Sequence, residues 1–249
     1  MKKLVFFFLF AALLALTSTG ASAAGSCDFS YDGATGPGHW WEICPPVNFT
    51  CVAGTRQSPI DLPEAPAGRL LPLSFHYRPT PLEVENNGHT IEVAVTSKSY
   101  LRIGQERYRL AQFHFHTPSE HRLHGEEFPM ELHFVHRNEL GELAVVGVFL
   151  REGAENPVLQ KIWDHIPAEG FSAYVEKIDP EDLLPENREY YRYAGSLTTP
   201  PCTEGVRWHV MEEPVEVSAE QIETFRDLFP HNARPLQPMN SRPVFTGDH

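Results

Sequence analysis

Hydrophobic and polar positions alternate along much of the chain with a period of two, the strand period, rather than the helical period of about 3.6. Residues 82–84, 89–96, 99–103, 107–116, 130–137, 142–150 and 206–217 read as short β-rich segments bounded by turn residues. Helical signals are confined to two stretches. Asn156 and Pro157 open one that runs to about Ile166, since an asparagine cap and a first-turn proline are favoured there. Ser218 and Gln221 have capping-box spacing for another, through about Phe229. No repeat, low-complexity tract or flexible linker interrupts the pattern, and 22 prolines punctuate it. The fold class this predicts is mainly β (α+β), a single domain with long loops.

The amino terminus departs from that pattern. Lys2 and Lys3 precede an unbroken apolar run over residues 4–16, followed by small residues ending Ala21-Ser22-Ala23. This reads as a signal peptide over residues 1–23, cleaved near 23/24, with the domain over 24–249. The run is short for a bilayer span, and no later stretch is long enough for one, so the mature chain is expected in the periplasm or outside the cell, free of the membrane. Charge and cysteines agree with export. The net charge is −13, from 33 acidic and 20 basic residues, and loss of the two leader lysines takes it to −15. That balance disfavours nucleic acid and anionic membranes as partners. Cys27, Cys44, Cys51 and Cys202 all remain after cleavage, which suggests two disulfides with three possible pairings. Their spacing lacks the paired C-x2-C knuckles of a structural zinc site.

The candidate chemistry sits in two of the predicted strands. In "QFHFHTPSEH" the alternation puts Gln112, His114 and His116 on one face and Phe113 and Phe115 on the other. One histidine on a strand is ordinarily a solvated or hydrogen-bonded residue; two on the same face, about 7 Å apart along the strand, can converge on one ion. In "MELHFVH" the alternation groups Glu131, His133 and Val135, with His136 on the opposite face and so outside the candidate set. If the two strands are neighbours, His114, His116 and His133 form a three-imidazole set that leaves one position of a tetrahedral zinc open, as a catalytic site requires. Gln112 and Glu131 share faces with His114 and His133 and can accept their remaining ring N–H groups. His121 and His124 follow the first strand and are expected at the surface of a loop.

These stretches belong to a longer series. "YDGATGPGHWWE", "QSPIDL", "ENNGH", "QFHFHTPSEH", "ELHFVH", "LAVVGVFL", "YAGSLTTPPCTEGVRW" and "NARPLQP" follow one another in an order that resembles the alpha class of carbonic anhydrases, of the exported bacterial type, over nearly the whole mature chain. The resemblance implies a large twisted, mostly antiparallel central sheet with short peripheral helices. It implies Zn2+ on His114, His116 and His133, and reversible hydration of carbon dioxide to bicarbonate and a proton by attack of zinc-bound hydroxide. Thr198 would orient that hydroxide and donate its own proton to Glu120. Thr199 would line the bicarbonate side, and Val135, Val145, Leu197, Val206 and Trp208 would form an apolar wall for carbon dioxide. His89 matches the proton-shuttle position, Asn87 and Tyr31 the residues that hold water on the proton path, and Asn232 a partner of His116; the residues around Tyr31 depart from the usual Trp-Gly-Tyr. Sulfonamides and anions are implied as inhibitors, and the chain as a monomer or homodimer. The family pattern pairs Cys51 with Cys202, which leaves Cys27 with Cys44, although Cys44 with Cys202 stays open.

Three other functions are weaker on their own motifs. A cupin shares the His-x-His and the glutamate at 120, but its flanking glycines are missing: Gly104 lies ten residues before His114, and position 127 is glutamate. A non-catalytic relative typically lacks a zinc histidine, and all three are present. A zinc protease requires H-E-x-x-H, which does not occur.

Overall fold

The computed structural model describes residues 27–247, so the leader expected over residues 1–23 lies outside the described residues. Along the chain the strands are β1 (Asp61–Leu62), β2 (Leu73–His76), β3 (Thr80–Asn86), β4 (Ile91–Ala94), β5 (Tyr100–Ile103), β6 (Glu106–His116), β7 (Arg122–Leu123), β8 (Met130–Arg137), β9 (Leu143–Glu152), β10 (Gly170–Ile178), β11 (Tyr190–Ser196), β12 (Glu204–Met211), β13 (Val215–Val217) and β14 (Phe245–Gly247). The α-helices are α1 (Thr50–Ala53), α2 (Pro157–Trp163) and α3 (Ala219–Leu228). Twelve strands make one sheet in the order β10-β3-β4-β6-β8-β9-β12-β11-β14, with β5 also on β6, β2 on β5 and β13 on β9. Its pairings are antiparallel except those of β12 and β13 with β9. Among the described residues no helix is long and apolar enough to cross a membrane.

The sheet is buried on both faces around its centre. Ala144, Val146, Val148 and Leu150 of β9 join Phe113, Phe115, Leu132 and Phe134 in one core. Helices α2 and α3 close that core, with Trp163 and Phe225 lying 4.9 and 6.0 Å from Phe115 between ring centroids. Val145 and Phe149 of the same strand turn the other way, to Val206, Trp208, Val210 and Tyr193. Burial on both faces is why β9 is almost continuously apolar while its neighbours alternate.

One irregularity sets the face on which β6 carries its histidines. Leu110 pairs with His136 and Gln112 with Val135, so Ala111 is an extra residue, a β-bulge. The bulge shifts the alternation by one position. Tyr108 and Leu110 before it and Phe113 and Phe115 after it therefore all enter the same core, and Gln112, His114 and His116 are left facing away from it.

Both predicted helices form. Asn156 caps α2 by accepting from the N–H groups of Val158 and Leu159, and Ser218 and Gln221 make the reciprocal capping box of α3. Helix α2 stops at Trp163 rather than near Ile166, because His165 and Ile166 donate to carbonyls three residues back and Pro167 follows. The segment expected over 206–217 divides into β12 and β13, broken around Pro214, which has no N–H to give a ladder. Strands β10 and β11 lay outside the predicted set. The apolar residues of β10 are split between its faces, with Phe171 56% exposed while Tyr174 and Ile178 pack on the core, and β11 has its place through pairing with β12 and β14.

Cys51 pairs with Cys202 and Cys27 with Cys44. The first bond ties α1 to the loop before β12, 151 residues away. The double variant Cys51→Ser/Cys202→Ser is expected to lose about 2–5 kcal/mol of stability, read as a fall in the calorimetric unfolding temperature, because closing a long loop restricts the unfolded chain.

Candidate metal centre

Strands β6 and β8 bring the three predicted histidines together by register. His114 stands opposite His133, Gln112 opposite Val135 and His116 opposite Glu131. The ring centroids of His114, His116 and His133 lie 4.6–5.4 Å apart. One nitrogen from each ring falls within 4.8 Å of the others.

The outer partners decide which nitrogens face inward. His116 Nδ1 donates to the backbone carbonyl of Asn232 at 2.7 Å, His133 Nε2 to Glu131 at 2.8 Å and His114 Nδ1 to the side-chain oxygen of Gln112 at 2.8 Å. Burial lowers the pKa of His114 well below its ordinary value, helped by His116 and His133, and burial also lowers that of His116. A neutral imidazole has one N–H. With that proton spent outward, His114 Nε2, His116 Nε2 and His133 Nδ1 present lone pairs to one another. Glu120 adds a fourth acceptor: its Oε2 lies 3.6 Å from His116 Nε2 and 3.9 Å from His133 Nδ1. Neither His116 Nε2 nor Glu120 Oε2 has a hydrogen-bond partner, and both are buried. Buried acceptors facing acceptors are costly unless a cation satisfies them, so the donor set fits a divalent metal with imidazole preference.

The residues behind the triad form a chain of hydrogen bonds. Glu131 receives His133 Nε2–H, His121 Nδ1–H at 2.7 Å and the His121 backbone N–H at 2.8 Å. Burial by itself would raise its carboxyl pKa, but His121 and His133 hold it well below the usual range. His121 Nε2 in turn accepts from the Tyr193 hydroxyl, itself 2.7 Å from the hydroxyl of Ser58. The expectation that His121 lies at the surface is therefore wrong: it is fully buried, because Glu131 needs a second donor and Tyr193 an acceptor. His124 is exposed, as expected, and bonds Tyr191. Gly147, opposite His133, makes room for this arrangement: a Cβ there would stand 3.0 Å from Glu131 Oε1.

Val145, Val206 and Trp208 belong to one buried apolar cluster, with Val135 and Leu197 packed against it. Trp208 lies 4.8 Å from the His133 ring and donates its indole N–H to Ser196, which fixes the strand end leading to Thr198 and Thr199. Thr198 is buried. The expected hydrogen bond from Thr198 to Glu120 is not formed; Glu120 Oε1 accepts from Arg234 N–H and Oε2 points at the histidines. The side chain of Arg234 anchors this corner by donating to Gln57 and to the carbonyls of Ser58 and Cys51.

His89 sits at the rim, stacked on Phe29 at 4.1 Å. Burial pushes its pKa down, with Asp28 pulling it partly back. Asn87 accepts from the backbone N–H groups of His89 and Thr90, so it shapes the turn that presents His89, with Gly88 at φ +81 inside it. Asn232 joins the two regions by donating to the His89 and Phe115 carbonyls. Tyr31 packs edge-on against Phe29 and Trp40, and its hydroxyl is held protonated by burial and by the charge of Glu120. Sequence reasoning missed Glu92, directly opposite His114 on β4, whose carboxyl pKa is raised by burial and by Glu85. Its place on the face of His114 follows only from the strand pairing.

Comparison with known proteins points to one family. A sequence model described as "Eukaryotic-type carbonic anhydrase" matches residues 35–248. A carbonic anhydrase of Nostoc is 44% identical over 91% of this chain and 88% of its own length, and one of Pectobacterium atrosepticum is 42% identical over 93% and 96%. The solved α-carbonic anhydrase of Thermovibrio ammonificans, in complex with the inhibitor sulfanilamide, superposes with a TM-score of 0.85 at 47% identity, covering 89% of this chain and all of that one.

Glu131→Gln is expected to weaken metal binding by about 10–100-fold, measured by competition with a chelator, because the amide removes the charge that orients His133 and offers one oxygen to three donors.

Proposed function

The chain belongs to the eukaryotic-type (alpha) carbonic anhydrase family and is an enzyme of carbon dioxide hydration; from that premise we propose that its catalysis is zinc-dependent, with His114, His116 and His133 as ligands and His89 carrying the product proton to solvent. The observation that carries the zinc assignment is the set of buried imidazole lone pairs, turned inward by Gln112, Asn232 and Glu131. When bound, zinc lowers the pKa of a water in its open position to about 7 and so supplies a nucleophile at neutral pH.

The other residues have separable tasks. Glu120, already bonded to Arg234 N–H, has one oxygen left to accept a hydroxyl proton. Thr198, which does not bond that oxygen in this structure, would supply the proton by turning its hydroxyl to it, and its own oxygen would then be an acceptor that selects and orients a hydroxyl-bearing species on the reacting side. Thr199 lines the bicarbonate side. Val135, Val145, Leu197, Val206 and Trp208 give carbon dioxide, an apolar molecule, a surface without competing hydrogen bonds. His89 accepts a proton when neutral, and because burial lowers its pKa it remains an acceptor further into the acid range than a free imidazole of pKa about 6.5. Tyr31 and Asn87 hold water between the centre and His89. Periplasmic or extracellular residence is supported by two disulfides. Binding of sulfonamides is supported by the sulfanilamide complex of the Thermovibrio enzyme.

The test is stopped-flow carbon dioxide hydration by the purified mature chain together with its zinc content. The expected result is about one zinc per chain and fast, sulfonamide-sensitive hydration, both lost in His133→Ala. Zinc retained without hydration would overturn the catalytic roles of Thr198 and Glu120 before those of the ligands. For His89→Ala, kcat in weak buffer is expected to fall by about one to two orders of magnitude while kcat/KM holds. An unchanged kcat would remove His89 from the proton path.

A further inference from the structure

The face of the sheet turned away from the triad borders a small polar cavity. His209 follows Trp208 on β12, so its ring points to the opposite side. It is 1% exposed, and its Nδ1 has no hydrogen-bond partner. A cavity of about 140 Å3 adjoins it, lined by the guanidinium-bearing Arg69, Arg192 and Arg207 and by the apolar Leu70 and Ile103. Three arginines around so small a space are unexpected in a chain of net charge −13, and among the described residues no carboxylate lines it. Arg207 is met at the rim by Glu106 at 3.0 Å and Glu142 at 3.6 Å. The side chains of Arg69 and Arg192 make no ion pair or hydrogen bond among the described residues. Burial, and then the charges of Arg192, His136 and Arg207, push the pKa of His209 down to about 3, so its ring is neutral beside them.

We propose that this cavity binds a small oxyanion of the size of bicarbonate or phosphate. Arg69 and Arg192 supply charge that no described carboxylate pairs with, and planar donor forks that match oxyanion geometry. Arg207 adds a third cation, and the unpaired His209 nitrogen gains the partner it lacks. The contributing residues come from the chain just before β2, from β5, from β11 and from β12. An anion bound there bridges these segments, and it stabilises the folded chain by linkage. The site is separate from the proposed zinc centre and does not depend on that assignment.

The test uses the zinc-loaded mature chain with sulfanilamide saturating the triad, titrated calorimetrically with inorganic phosphate and, in parallel, with bicarbonate. One anion per chain is expected. Arg192→Gln and Arg69→Gln are each expected to weaken binding about tenfold, the loss of one charge-assisted contact, with carbon dioxide hydration in the absence of inhibitor unchanged. Arg69 is exposed, so Arg69→Gln decides the matter should Arg192→Gln fail to fold. Tighter binding of bicarbonate would identify the product of the reaction as the occupant, and tighter binding of phosphate a phosphate-type ligand; either supports the site. Absence of binding to the wild-type chain, or binding that neither folded variant weakens, would overturn it.

Discussion

His114 and His133 meet because β6 and β8 pair in one register, and a slip of a single residue would turn Gln112, His114 and His116 into the aromatic core and Phe113 and Phe115 into the site. Two features hold that register. Phe113, Phe115, Leu132 and Phe134 are fully buried in the core that α2 and α3 close, so a slip would expose large apolar area. The extra residue at Ala111 lets the strand keep Tyr108 and Leu110 in that same core while reversing the phase ahead of the histidines. The bulge thus separates a stretch of β6 that serves only packing from a stretch that also carries chemistry, without breaking the strand.

Around the triad, polar groups are satisfied in layers from the outside inward. Ser58, Tyr193 and His121 complete one another, and Glu131 takes the donors of His121 and His133. Asn232 accepts from His116 through its backbone while its side chain closes the gap to His89. Only the innermost atoms are left over, and those share one character, acceptors without donors. In a low-dielectric interior such an arrangement is unfavourable by itself and favourable around a cation. The same surroundings position the three rings, and burial lowers the pKa of His114 and His116.

Much of this was legible from residues in order along the chain. The alternation in "QFHFH" and "MELHFVH" placed the histidines and their acceptors on common faces, and the caps at Asn156 and Ser218 were read where they form. The disulfide partners followed the family pattern. What was misread shares one cause, dependence on a partner distant in sequence. His121 looked like a loop residue because its burial depends on Tyr193, 72 residues away. Glu92 carried no motif of its own and faces His114 only through the pairing of β4 with β6. Strand β10, at the sheet edge against β3 alone, carries apolar residues on its exposed face as well as on its core face, so its alternation is blurred.

By itself the sequence determined the local periods, the helix caps, the acidic surface and the identity of the three imidazoles with two of their partners, since these depend on neighbours a few residues apart. Only the tertiary structure decided which ring nitrogen of each histidine faces inward, that Glu120 turns an oxygen toward them, that His121 is buried behind Glu131, and that Arg69, Arg192 and Arg207 gather around His209. Each of these is set by a contact between strands far apart in the chain, and the physics of such contacts, hydrogen-bond direction and burial of charge, acts on atoms whose proximity only the assembled sheet creates.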